Sequence, residues 1–222
     1  MTATPAPAGP VTGQETGQGG RVNQAARAGR VNQKRRTYLA IVGAARDLIR
    51  AGRDVTMPEV ARAALVSEAT AYRYFPDLPA LLNEAMAGLS PDPAEAFAAL
   101  APSAGPVERV AFATEFLLRH VLAYQAAVRA MISATITRPA AAAARPGIRF
   151  GLIDLALAPL TQAATPAAVA QLKRDLSVVI SAEALFSLTD LNGLSPDDAI
   201  ASLVRTATTL TRAALGPDVP AR

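Results

Sequence analysis

The chain has 222 residues, enough to bury a substantial core as one large domain or two small ones. Apolar residues make up 51%, but aromatics are only 5% and tryptophan and cysteine are absent, which excludes disulfides and thiolate metal sites. The net charge of +4 is unevenly placed: residues 20–82 hold eleven Lys and Arg against five Asp and Glu (+6), and residues 83–222 hold eleven against twelve (−1). A polyanionic partner is therefore expected for the N-terminal part. Alanine supplies much of the apolar count and period-two runs of Val, Ile, Thr and aromatics are scarce, so the expected class is all-α. No window approaches the ~20 uninterrupted apolar residues of a membrane span. The N-terminus is Pro/Gly/Thr-rich and then basic, without an apolar signal region, and a cytoplasmic protein with no membrane association is expected.

Residues 1–19 are dominated by Ala, Pro, Gly, Thr and Gln, and are expected to be disordered. Residues 20–36 repeat GRVNQ at Gly20 and Gly29 and carry Arg21, Arg27, Arg30, Lys34, Arg35 and Arg36. Together, residues 1–33 read as a disordered, basic arm that follows phosphates or enters a minor groove, or as a solvated tail. A first group of helices is placed at residues 34–86. Its first helix spans about Lys34 to Ala51, with Ile41, Val42, Ala45, Leu48 and Ile49 on one stripe and Gly52 as the stop. The second helix starts on the N-cap Thr56, with Pro58 in its first turn and Glu59 completing a capping box. Only Leu65 and Val66 separate it from a third helix that is capped by Ser67 and carries Ala71 and Phe75 on its apolar side. This is a helix-turn-helix pattern, although a helical protein rich in alanine also contains plain corners of this kind. Pro76 ends the third helix, and a fourth runs from about Leu78 through Met86, with Phe75, Leu81 and Leu82 pinning the two together.

Gly88, Ser90, Pro91 and Pro93 mark a break, after which residues 87–222 read as a second, helical part. Helices are expected near Pro93–Ala101, from Pro106 to about Thr137 with a bend or break near Ala123, and over Gly147–Ala163. Two long helices, Pro166–Asp190 and Pro196–Leu215, are expected to form an antiparallel hairpin around the Asn192-Gly193 turn. Pro139–Pro146 reads as a loop or frayed helix.

The segment SEATAYRYFPDLPALL (residues 67–82), preceded by PEVARAALV and by a basic amphipathic helix, resembles the DNA-binding domain of TetR-family transcriptional regulators. The resemblance is detailed over Gln33–Met86. It implies a homodimeric, all-helical repressor that binds a double-stranded operator through a DNA-binding domain at residues 34–86, pairs through its two C-terminal helices and releases DNA to a small-molecule effector, with residues 87–222 as the helical ligand-binding and dimerisation domain. Carried over residue by residue, Thr70, Tyr72 and Tyr74 fall where phosphates are contacted, and Glu68, Ala69 and Arg73 where bases are approached. Arg73 can bind guanine bidentately or make a surface ion pair; Glu68 can accept from cytosine N4 or favour the helix N-terminus. Thr56, Ser67, Arg30, Lys34, Arg35 and Arg36 complete the expected DNA-binding set. Two departures stand out: Leu65 occupies the position of a turn glycine, which often needs positive φ, and Leu78 replaces a common phosphate-binding lysine.

Phe112, Phe116, His120, Tyr124 and Met131 can share one helical face, either as core or as the wall of an effector pocket, with Phe150 and Glu183 added to the pocket set and Arg149 a further candidate. A lone histidine without cysteine makes neither a metal site nor a nucleophilic triad, and GxxxxGK[ST] is absent, so no enzyme, metal or cofactor is expected. The alternative function is a helical ligand-binding or scaffold protein with nonspecific nucleic-acid association through its basic arm.

Overall fold

Among the residues described by the computed structural model (17–137, 147–162 and 164–215), every regular element is a helix and no strand occurs. The order is α1 (Gly17–Arg50), α2 (Met57–Ala63), α3 (Glu68–Tyr74), α4 (Leu78–Ala87), α5 (Pro93–Phe97), α6 (Pro106–Ala123), α7 (Gln125–Thr137), α8 (Ile148–Leu157), α9 (Pro166–Val179), α10 (Ala182–Phe186) and α11 (Pro196–Leu215). A 3-10 turn (Ala158–Gln162) follows α8, and a wider π-type turn (Ser187–Leu191) follows α10. No helix among the described residues is long and apolar enough to cross a membrane. The chain divides between Ala40 and Ile41 into two units.

In the first unit, α1 begins at Gly17, well before the expected start at Lys34. Of the segment expected to be a disordered arm, residues 17–33 are therefore helical, and the absence of proline between Val11 and Met57 permits it. Residues 1–16 lie outside the described residues.

The second unit opens with the last turns of α1, which bury Ile41, Val42, Ala45, Leu48 and Ile49 as the periodicity predicts. Gly52 then adopts φ +65°, and the Gly52 and Arg53 amides donate to the Ile49 and Leu48 carbonyls, closing the helix with a Schellman motif. From the edge of the same stripe, next to Val42 and Ile49, Arg46 donates to the Ala85 carbonyl at 3.1 Å and the Glu84 carbonyl at 3.4 Å, so α1 caps the C-terminus of α4. Gly88 leaves room for this guanidinium, since a Cβ there would land on it.

The corner between α2 and α3 is a second Schellman motif. Leu65 N–H donates to Arg62 O and Val66 N–H to Ala61 O, with Leu65 at φ +56°. The position that calls for glycine is thus occupied by a branched residue in the left-handed region, and its side chain is 92% exposed and packs on nothing that would offset the strain. Strain of about 1–2 kcal/mol, less the extra chain entropy of glycine, leaves a net gain of roughly 0.5–1 kcal/mol for Leu65→Gly. The variant is expected to melt about 1–4 °C higher. A melting temperature at or below that of the parent would refute the strain.

From α4 onward, side-chain caps punctuate the chain: Asp77, Asp92, Thr165, Ser181 and Ser195 each accept a backbone N–H of the first turn that follows. The expected break in the 106–137 stretch occurs at Tyr124, one residue from Ala123. The helix expected over Gly147–Ala163 ends at Leu157 and tightens into the 3-10 turn. The single helix expected over Pro166–Asp190 is instead three pieces. Val178, Val179 and Ile180 are β-branched and poor at propagating a helix, and Ser181, extended and buried, recaps the chain through Ala184 N–H. The expected 93–101 helix is shorter, ending at Phe97. Pro139–Pro146 lies outside the described residues.

Helix α11 buries Ala199, Ile200, Leu203, Ala207, Thr208 and Thr211, and packs against α6, α9 and α10. Helix α8 joins α5, α6 and α9, while α4 lies against α7. Arg129 of α7 stands 3.8 Å over the Phe186 ring and donates to both carboxylate oxygens of Asp190, at 2.5 and 2.8 Å. The guanidinium, with help from the Thr189 hydroxyl, holds the Asp190 carboxyl down at about 2. This pair fastens the π-type turn to α7.

Candidate nucleic-acid interface and ligand cavity

Helix α3 is fixed from below and left open above. Ala71 is fully buried on its inner side, and Phe75, 5% exposed, closes its C-terminus by donating its N–H to Ala71 O. At the other end, the Ser67 hydroxyl accepts Thr70 N–H at 3.2 Å and donates to the Thr70 hydroxyl at 2.9 Å. This leaves Glu68, Ala69, Tyr72 and Arg73 exposed, with Thr70 and Tyr74 partly so. The six residues expected to meet DNA thus share the outward side of one short helix. Glu68 lies in its first turn and Arg73 in its last, each favourably placed against the helix dipole. The Arg73 guanidinium sits 5.9 Å from the Tyr74 ring, and among the described residues no carboxylate pairs with it, so the ion-pair alternative has no partner.

Thr56 caps α2 as expected, accepting Glu59 N–H at 3.3 Å. The reciprocal half of the capping box is not made, because the Glu59 carboxylate accepts instead from Arg53 at 3.2 Å. In the first unit, Arg27, Arg30, Lys34, Arg35 and Arg36 are all exposed on helix α1. Arg27, Arg30 and Lys34 recur at steps of three and four and so share a face.

Helices α4, α6, α7, α8 and α10 line a partly open cavity of about 510 Å³, within the range of small-molecule sites. Its deep wall is Met86 from α4, Leu117 and Val121 from α6, and Val128 and Met131 from α7, all less than a tenth exposed. His120, Arg149, Phe150, Ser181 and Glu183 also line it. Of the expected pocket set, His120, Met131, Phe150 and Glu183 are therefore brought together. Phe112, Phe116 and Tyr124 are not on the wall: Phe112 stacks on Phe116 at 5.8 Å and meets Phe97 edge-on at 5.3 Å, and Tyr124 stands edge-on to His120 at 5.0 Å. Phe116 and Phe112 lie one and two turns before His120, and Phe112 packs on Phe97 of α5. The sequence reading missed Met86 and Ser90, which approach from the fourth helix and its exit and show no periodicity with α6 or α7. Arg149 and Glu183 pair at 3.9 Å.

His120 has its Nε2 covered and without a hydrogen-bond partner among the described residues, and burial pushes its pKa below the ordinary histidine value. The folded protein therefore favours neutral imidazole, and the unfolded chain takes up the proton first. The resulting stability is present above about pH 6.5, the unfolded value, and declines as pH falls through it. In His120→Phe this share of the decline is expected to vanish, flattening the melting temperature between about pH 8 and pH 5.5. An unchanged slope would mean that the imidazole is solvated in the folded state.

Residues 41–85 match the family model of bacterial regulatory proteins of the tetR family, the same stretch that forms α2, α3 and their buttresses. No curated protein is significantly similar in sequence. Among solved structures, a TetR transcriptional regulator from Rhodococcus sp. RHA1 shares 23% identity at a TM-score of 0.51, covering 80% of this chain and 97% of that one. A second Rhodococcus sp. chain, assigned to the TetR-family transcriptional regulators, shares 14% identity at a TM-score of 0.55, covering 80% of this chain and 100% of its own. Residues 41–85 are thus similar to bacterial regulatory proteins of the tetR family, and the helical fold of these two solved structures is shared along most of the chain.

Proposed function

We infer that the protein is a ligand-responsive repressor that binds a near-palindromic operator as a homodimer. The observation that carries this reading is the outward face of α3, where Tyr72 and Arg73 stand exposed on a helix seated by Ala71 and Phe75. A helix of this kind fits the major groove, and two copies related by a dyad would read half-sites about 34–36 Å apart or a multiple of that. Thr70, Tyr72 and Tyr74 would hold phosphates, and Glu68, Ala69 and Arg73 would approach bases. The caps Thr56 and Ser67 would place their helix N-termini toward the backbone, and Arg30, Lys34, Arg35 and Arg36 would add phosphate contacts of their own. Dimerisation through the α9–α11 pair is supported by Val178, Leu191 and Leu194, apolar residues left exposed around it.

Met86 supports the ligand response, because it belongs both to α4 and to the cavity wall. A ligand that prefers one position of Met86 would bias α4, and with it α3 across the short Phe75–Asp77 link. The loss of DNA affinity would equal the ligand's preference for the released state.

The test is selection of bound duplexes from a random pool at about physiological salt, followed by sequencing. An inverted repeat is the expected result. Salt-sensitive binding to every duplex, with no motif, would overturn the reading in favour of nonspecific association through the basic helix.

A further inference from the structure

The polar groups of the cavity are not equivalent. The Ser90 hydroxyl donates to the Met86 carbonyl at 3.0 Å and the Ser181 hydroxyl to the Val178 carbonyl at 2.7 Å, so both protons are already engaged. Arg149 and Glu183, on the less buried side, oppose each other at 3.9 Å and cancel in net charge. A charged ligand group would have to displace one member of that pair or be desolvated against the apolar deep wall, and either course is costly. His120 is left, with a covered Nε2 that lacks a partner. Neutral imidazole can donate from one nitrogen and accept at the other, so it serves a hydroxyl or a carbonyl equally.

We propose that the effector is an uncharged, predominantly apolar small molecule with a single hydroxyl or carbonyl group, which hydrogen-bonds to His120. The assignment rests on the cavity being the effector site. Apolar burial against Met86, Leu117, Val121 and Met131 supplies the affinity, and the imidazole selects the polar head. Because Nε2 is covered, a rotation of the ring accompanies binding. The Arg149–Glu183 pair turns away carboxylates and ammonium groups by offering neither an unopposed partner.

Three probes share one ring and differ in the head: 1-naphthol, 1-naphthoate and 1-naphthylmethylammonium. They are titrated into the full chain at neutral pH without DNA, and naphthalene fluorescence is followed, which no tryptophan obscures. Naphthol is expected to bind about tenfold more tightly than either charged probe, and up to about tenfold more tightly than naphthalene itself. His120→Phe should abolish the advantage over naphthalene, and His120→Gln, which keeps a hydrogen-bonding amide, should retain it. Glu183→Gln should move the preference toward naphthoate by unbalancing Arg149. The proposal is overturned if a charged probe binds best, if no probe binds, or if His120→Phe keeps the parent ranking. A failed regulator reading shows itself separately, as the absence of a motif among selected duplexes.

Discussion

Arg73→Ala is expected to weaken operator binding by about 5- to 150-fold per half-site, the equivalent of roughly 1–3 kcal/mol for a lost bidentate base contact. The side chain is exposed at the end of α3 and pairs with no carboxylate among the described residues, so the loss is not diluted by an internal rearrangement. For the same reason the melting temperature should stay within error of the parent. The deciding signature is how the loss is distributed. A base-reading arginine relaxes specificity at one position of each half-site, leaving the other positions selected as before. Lys34→Ala, by contrast, removes a charge from the basic helix; it should weaken all duplexes alike and lower the salt slope by about one. Equal losses on operator and scrambled DNA in Arg73→Ala would reassign Arg73 to the phosphates. Affinity within twofold of the parent would remove α3 from the interface.

Local chemistry made the N-terminal half readable. The stripe of α1, the caps Thr56 and Ser67, and the two-residue corner each depend on neighbours within a turn or two, and residues of the sequence alone specify them. Leu65 was legible as an oddity, and its φ of +56° is the conformation the corner demands despite the side chain. Less of the C-terminal half could be read. The break at Ser181 depends on a serine choosing to cap rather than to continue a helix, and the β-branched run before it was the available signal. The hold of Arg46 on the end of α4 spans almost forty residues, and the Arg129–Asp190 clamp sixty-one, separations at which no periodicity operates. The cavity divides the aromatic stripe for a similar reason. One helical face is longer than one cavity, so Phe112 and Phe116 pack near α5 while His120 and Met131 reach the wall.

Phe75→Ala should act on the same helix from the opposite side. Phe75 is 5% exposed, directly follows α3, and precedes an α4 in which Leu81 and Leu82 are wholly buried. Truncation removes the ring and leaves a cavity beneath α3, which is expected to cost about 3–5 kcal/mol. For a chain of this length that corresponds to a melting temperature lower by roughly 6–20 °C. Phe75→Leu, which keeps most of the volume, should cost less than about 1.5 kcal/mol. DNA affinity should fall on every duplex in Phe75→Ala, because a helix that is not held in place positions no side chain, and amide exchange should accelerate in α3 before it does in α11. That order separates the two variants, since Arg73→Ala loses a contact and Phe75→Ala loses the surface that presents it. If Phe75→Ala melted with the parent and still selected the same operator, α3 would have to be seated by something other than this ring, and the mechanical link from α4 to the recognition helix would fail with it.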